Sequence, residues 1–143
     1  MSLKPLQKEY NLVVSSKIEN VEKVEAFTEK ISKAMHFSEG ERDSIAIAVT
    51  EALNNAILHG NKEDPSKSVE VWISSVKNGI KIVVKDEGEG FDLNAVPNPL
   101  EPENLLKESG RGIFILKSLM DHVEYKFTKG GTQVTMVKYK KDK

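Results

Sequence analysis

Three groups of residues in this sequence carry side chains suited to chemistry. Glu51, Asn55 and His59 recur at intervals of four inside an apolar-periodic stretch, so they line one face of a helix. A carboxylate placed there can take a proton from a hydroxyl or a water, and an amide oxygen one turn on can ligate a hard cation such as Mg²⁺. A solvated helix edge is the plainer reading of any single Glu-x-x-x-Asn. Against it stands Asn54-Asn55, two adjacent poor helix formers in mid-helix. His59 closes the row as a candidate ligand, and beside Gly60 it also reads as a C-terminal cap.

The second group is Asp86-x-Gly88-x-Gly90. An aspartate at a strand end can accept from an exocyclic amino group, and glycines let a flat ring approach the backbone. A calcium loop is rejected because glycines stand where oxygen ligands belong, whereas a plain acidic turn stays open. The third group is Ser109-Gly110-Arg111-Gly112 at a helix start, where unpaired N–H groups and the Arg111 charge would suit an anion. Ordinary loop punctuation explains that run equally well. His36 and His122 lack partners at metal-ligand spacing, and Lys138, Lys140, Lys141 and Lys143 read as a solvated basic end.

These groups need a frame, and hydrophobic periodicity supplies one. A strand alternation over residues 9–14 precedes a helix pattern from Ile18 to Met35. Ser38 and Glu41 form a capping box ahead of a second helix, expected to stop at His59-Gly60 with the glycine left-handed. Two alternating runs flank Asn78-Gly79, the signature of a hairpin with a type I′ turn. Three prolines between Leu93 and Ser109 mark a long loop, then come a helix from Gly110 and a closing hairpin through Gly130-Gly131. The order predicts an α+β, two-layer α/β sandwich with a mostly antiparallel, mixed sheet and helices on one face, built as a single domain over residues 1–143.

Composition narrows the function classes. The 143 residues hold 21 basic and 22 acidic side chains, a net charge of −1, so no one-signed patch is available to recruit nucleic acid or a membrane surface. Zero cysteines fit a reducing, cytoplasmic setting, and no apolar run approaches the ~20 residues of a membrane span.

Taken in order, Glu51-x-x-x-Asn55-x-x-x-His59-Gly60, Asp86-x-Gly88-x-Gly90, Gly110-x-Gly112 and Gly131-Thr132 resemble the GHKL ATP-binding family with its Bergerat fold, a histidine kinase-like ATPase domain. Within it, Gly110-Arg111-Gly112-Ile113-Phe114-Ile115-Leu116 and Leu119-Met120-Asp121 look like the anti-sigma-factor serine kinases of bacteria. That resemblance implies ATP and Mg²⁺ as cofactors. Glu51 would be the general base, Asn55 the Mg²⁺ ligand and Asp86 the partner of the adenine amino group. Gly88 and Gly90 would floor the adenine pocket, Gly110 to Gly112 would hold the phosphates, Thr132 would support the adenine site through its hydroxyl, and residues 93–109 would form the lid. It further implies a serine/threonine protein kinase that sequesters a sigma factor, phosphorylates a STAS-domain anti-anti-sigma protein and often dimerises. The chain departs from the pattern at Glu108, close to the glycine pair where active kinases carry a basic residue; Lys107 and Arg111 flank it. A nucleotide-switched binding module with little kinase activity is therefore the alternative.

Overall fold

Alternation over residues 68–76 and 79–85 puts Val69, Val71, Ile73, Ile80, Ile82 and Val84 on one side of two strands, and all six are buried. The computed structural model describes residues 9–88 and 108–141, with only the backbone for 108–111. Its order is β1 (Glu9–Ser15), α1 (Glu19–Ala34), α2 (Glu39–Asn54), a π-helical turn (Asn55–Gly60), β2 (Ser68–Val76), β3 (Gly79–Lys85), α3 (Glu108–Leu119), β4 (His122–Thr128) and β5 (Gly131–Tyr139). The strands form one sheet in the order β1-β2-β3-β5-β4. Every pairing among them is antiparallel, so the expected mixed sheet is purely antiparallel over the described residues.

Register carries the apolar face across the sheet. Val71 pairs with Val84 and Ile73 with Ile82, while β5 sets Val134 against Val84 and Met136 against Ile82. The helices cover this face with Val21 and Val24 of α1, Ile45, Val49 and Leu53 of α2, and Leu116 of α3. The helix faces follow the 3.6-residue period of those positions.

Ser38 caps α2 as expected: its side chain accepts from Glu41 N, and the Glu41 carboxylate accepts from Ser38 N at 2.9 Å. The backbone N–H of Lys141, then that of Ser38, hold the Glu41 carboxyl below its usual range. Two basic side chains expected to be solvated instead close helix ends. Lys138 is buried and donates to Leu119 O at 2.8 Å, and Lys140 donates to Met35 O at 3.0 Å. Cations there satisfy terminal carbonyls and complement the dipole.

Two turn expectations are corrected. The β2–β3 loop is Lys77-Asn78, with Val76 paired to Gly79, and within it only Asn78 has positive φ (62°). A type I′ turn needs both central residues there, so the turn is of another type. Gly79 serves close approach, since a Cβ on it would stand 2.5 Å from the Lys138 carbonyl oxygen. Gly60, likewise, is not left-handed; Lys62 and Glu63 are, at φ 54° and 60°.

Candidate functional site

Helix α2 changes character where the sequence places its two asparagines. From Asn55 the winding widens, and Asn61 N bonds Ala56 O at 2.8 Å, five residues back. Such π turns recur at functional sites. Here the turn carries Asn55, His59 and Gly60 along the wall of a pocket of about 120 Å³, whose other walls include Asp86, Ile113, Tyr125 and Thr132.

Asp86 follows β3 and is 5 % exposed. Its Oδ1 accepts from Gly88 N at 2.9 Å and Thr132 N at 3.0 Å, and its own N–H donates to Thr132 O at 3.0 Å. Two N–H donors on one oxygen fix the carboxylate and leave Oδ2 to accept from a ligand. Burial raises the Asp86 carboxyl above the ordinary aspartate range, and the bonds from Thr132 and Gly88 pull it back in part. Thr132 supports Asp86 through its backbone, both as donor and as acceptor.

Glycines make this packing close. A Cβ on Gly60 would overlap the Asp86 carboxylate, and one on Gly88 would overlap the Gly60 carbonyl. Gly131, at φ 141°, lies against the Asp86 backbone where a Cβ would also collide. Asn61, 1 % exposed, ties the loop to the strands. Its amide donates to Ser16 Oγ at 2.7 Å and Ser68 O at 2.9 Å, and its oxygen accepts from Glu87 N at 2.7 Å.

Asn55 and His59 also border a second groove of about 210 Å³ that holds Glu51 and Gly112. A Cβ on Gly112 would stand 2.5 Å from Glu51 Oε2 and 2.9 Å from Asn55 Nδ2, so α3 seats its glycine directly on both side chains. Glu51 and Asn55 thus share one groove with Gly112, far from them in sequence, and the exposed His59 borders both this groove and the Asp86 pocket. Among the described residues no group of three or more His, Asp and Glu gathers. A cation held here would draw most of its ligands from a substrate and water, as Mg²⁺ does beside phosphates.

Gly110 and Arg111 fall in the first turn of α3, which already begins at Glu108. Gly90 and residues 93–107 of the expected lid lie outside the described residues. Two site residues escaped the reading of the sequence. Tyr125 looked like one more apolar position in the Val123-Tyr125-Phe127 alternation, and Asn61 like the residue after a helix end; a polar group next to Gly60 was its one available signal.

The sequence pattern of the histidine kinase-like ATPase domain matches residues 14–138. The chain belongs to that family. It is 30% identical over 115 residues to the serine-protein kinase RsbW of Oceanobacillus iheyensis, covering 76% of this chain and 72% of that one. The RsbW of Bacillus subtilis is 30% identical over 76% of this chain and 71% of its own. The RsbW of Staphylococcus aureus (strain Newman) is 35% identical over 100 residues, 65% of this chain and 62% of the relative. Among solved structures, the RsbU and RsbW domains of Rv1364c from Mycobacterium tuberculosis superpose with a TM-score of 0.70 at 16% identity, over 92% of this chain and 32% of that one. The catalytic domain of the histidine kinase ThkA gives 0.59 at 12% identity, over 93% and 96%. Likeness at such identities speaks for the fold, and the ATPase family carries ATP use with it.

Proposed function

We propose that the protein is an anti-sigma factor with ATP-dependent serine/threonine kinase activity, which sequesters a sigma factor and phosphorylates a STAS-domain anti-anti-sigma protein. The observation that carries the reading is shared lining: Asn55 and His59 border both the Asp86 pocket and the groove that holds Glu51. Asp86 Oδ2 accepts from the adenine amino group, and the phosphates extend toward Asn55 and Gly112. Mg²⁺, ligated by the Asn55 amide oxygen together with phosphate and water, would neutralise charge on the transferred group. Glu51 takes the proton from the partner's hydroxyl as its oxygen bonds the γ-phosphorus and the bond to ADP breaks. Arg111 and the N-terminal turn of α3 add positive potential for the phosphates, His59 borders the nucleotide, and Gly90 with the 93–109 lid closes over it. The relatives named serine-protein kinases support the reaction class.

The cytoplasm is the proposed setting; no helix among the described residues is long and apolar enough to cross a membrane. Strand β1 lies at a sheet edge with Val13 60% exposed, which supports a homodimer paired through that edge. Neither nucleic acid nor a membrane is a proposed partner.

The test is a transfer assay with γ-labelled ATP and a STAS-domain protein, alongside calorimetry with ATP and GTP. Transfer with preference for ATP is expected, because guanine presents a carbonyl to Asp86. Equal affinities, or label that never reaches the partner, would overturn the reading.

A further inference from the structure

One residue of the pocket wall carries a polar atom that no group among the described residues satisfies. Among the described residues the Tyr125 hydroxyl is buried without a hydrogen-bond partner, while its ring forms part of the pocket wall. Native proteins rarely leave such a group unpaired, and one that faces a ligand site is satisfied by the ligand. We propose that Tyr125 contacts the nucleotide, its hydroxyl donating a hydrogen bond to a sugar or phosphate oxygen beyond the base.

Position along the strands selects that part of the ligand. Phe127 pairs with Thr132, which holds Asp86, and Tyr125 pairs with Val134, two residues further along β5. At the rise of a strand, Tyr125 is therefore offset roughly 7 Å along β4 from Phe127, the residue opposite Thr132. The Glu51 carboxylate acts on the phenol electrostatically. Tyr125 lines the same pocket as Asp86 and Asn55, and Asn55 also borders the groove that holds Glu51, so Tyr125 belongs to the stretch of wall along which sugar and phosphates would run. Stacking of the Tyr125 ring on Phe127, at 5.8 Å and 8°, fixes its aim. Burial first, and the Glu51 charge second, push the phenol above its usual range, so it is a protonated donor at any physiological pH.

The inference rests on the proposed nucleotide site, and Tyr125→Phe in the full chain tests it. The substitution keeps ring volume and stacking and removes only the hydroxyl. Calorimetry should show ATP bound about tenfold more weakly, the effect of one lost hydrogen bond. An equal loss with adenosine, ADP and ATP places the bond at the sugar; a loss confined to ADP and ATP places it at a phosphate. The melting temperature without nucleotide should stay level or rise, since an unpaired buried hydroxyl has been removed. Unchanged ATP affinity beside normal wild-type binding would overturn this inference alone. A lower melting temperature in the free variant would overturn it too, by revealing a structural partner for the hydroxyl. Failure of the wild type to bind any of the three ligands would remove the nucleotide site and this inference together.

Discussion

The α-carbon of Gly112 rests against the Glu51 carboxylate so closely that a Cβ there would stand 2.5 Å from Oε2. Helix α3 thereby reaches Glu51, the side chain proposed as the base. For Gly112→Ala two effects oppose each other. Alanine favours the helix by about 0.5–1 kcal/mol, and Gly112 has no positive φ to lose. The collision is with the end of a flexible Glu side chain, which can rotate away. The melting temperature should therefore hold or rise slightly while phosphotransfer drops, because Glu51 is displaced from its groove. A variant that melts far below wild type would show that α3 itself, not Glu51, gives way.

Asp86→Asn should separate binding from stability. The Asn oxygen can still accept from Gly88 N and Thr132 N, but its amide nitrogen would face the adenine amino group as donor against donor. ATP affinity should fall at least tenfold, following the roughly 1–3 kcal/mol of an unmet buried polar group, with little change in melting temperature. Titration calorimetry and thermal unfolding of the same preparation read both.

The raised carboxyl of Asp86 also gives a pH dependence of definite sign. The folded protein takes up this proton at higher pH than the unfolded chain, so around neutrality the group weighs against folding, and its contribution improves as pH falls through the folded value. Protonation removes the acceptor for adenine. ATP binding by the wild type should therefore weaken on acidification while the pH is still above the ordinary aspartate range near 3.9, and Asp86→Asn should lack that component. Affinity measured between about pH 4 and 7 on both proteins decides it.

Much of this was legible because it is local. The capping box of Ser38 and Glu41, the alternation that buries Val71 and Ile82, and the i, i+4 row of Glu51 and Asn55 each depend on residues a turn or a strand apart. What could not be read depends on how distant segments meet. Gly60 resembled a helix stop, yet its missing side chain makes room for Asp86, 26 positions on; Gly79 resembled a turn residue and makes room for the Lys138 backbone. Lys138 and Lys140 looked like a charged end because their carbonyl partners, Leu119 and Met35, sit at the C-terminal ends of α3 and α1. Asn54-Asn55 was the exception, a local weakness that marked the π turn before its geometry was known.

Asn61 should matter to both stability and site. Its side chain makes three bonds, to Ser16, Ser68 and Glu87, in a place 1 % exposed. Asn61→Ala leaves those groups without that partner and should destabilise by about 2–4 kcal/mol. The segment that carries Asp86 and Gly88 is released at Glu87, so ATP affinity should fall as well, even at temperatures where the variant is fully folded. Denaturant unfolding gives the first quantity and calorimetry at 10–15 degrees below the variant's midpoint, roughly, the second.

Glu51→Gln and Asn55→Ala together test the division of labour in the groove they share. If Glu51 is the base, the glutamine fills the same volume beside Gly112 but cannot take the hydroxyl proton, so phosphotransfer should fall about 10²–10⁴-fold with most ATP affinity retained. If Asn55 supplies the amide oxygen for Mg²⁺, its alanine variant should lose the Mg²⁺-dependent part of ATP binding, since no other group of acidic or imidazole ligands gathers among the described residues to take over. The two variants thus fail at different steps: one binds and does not transfer, the other binds poorly. A nucleotide-switched binding module predicts another pattern, in which Glu51→Gln leaves partner release by ATP unchanged and even the wild type labels no partner. Measuring γ-labelled transfer to a STAS-domain protein, and ATP affinity with and without Mg²⁺, on the wild type and both variants distinguishes these outcomes. Transfer at full rate by Glu51→Gln would mean that another group takes the proton.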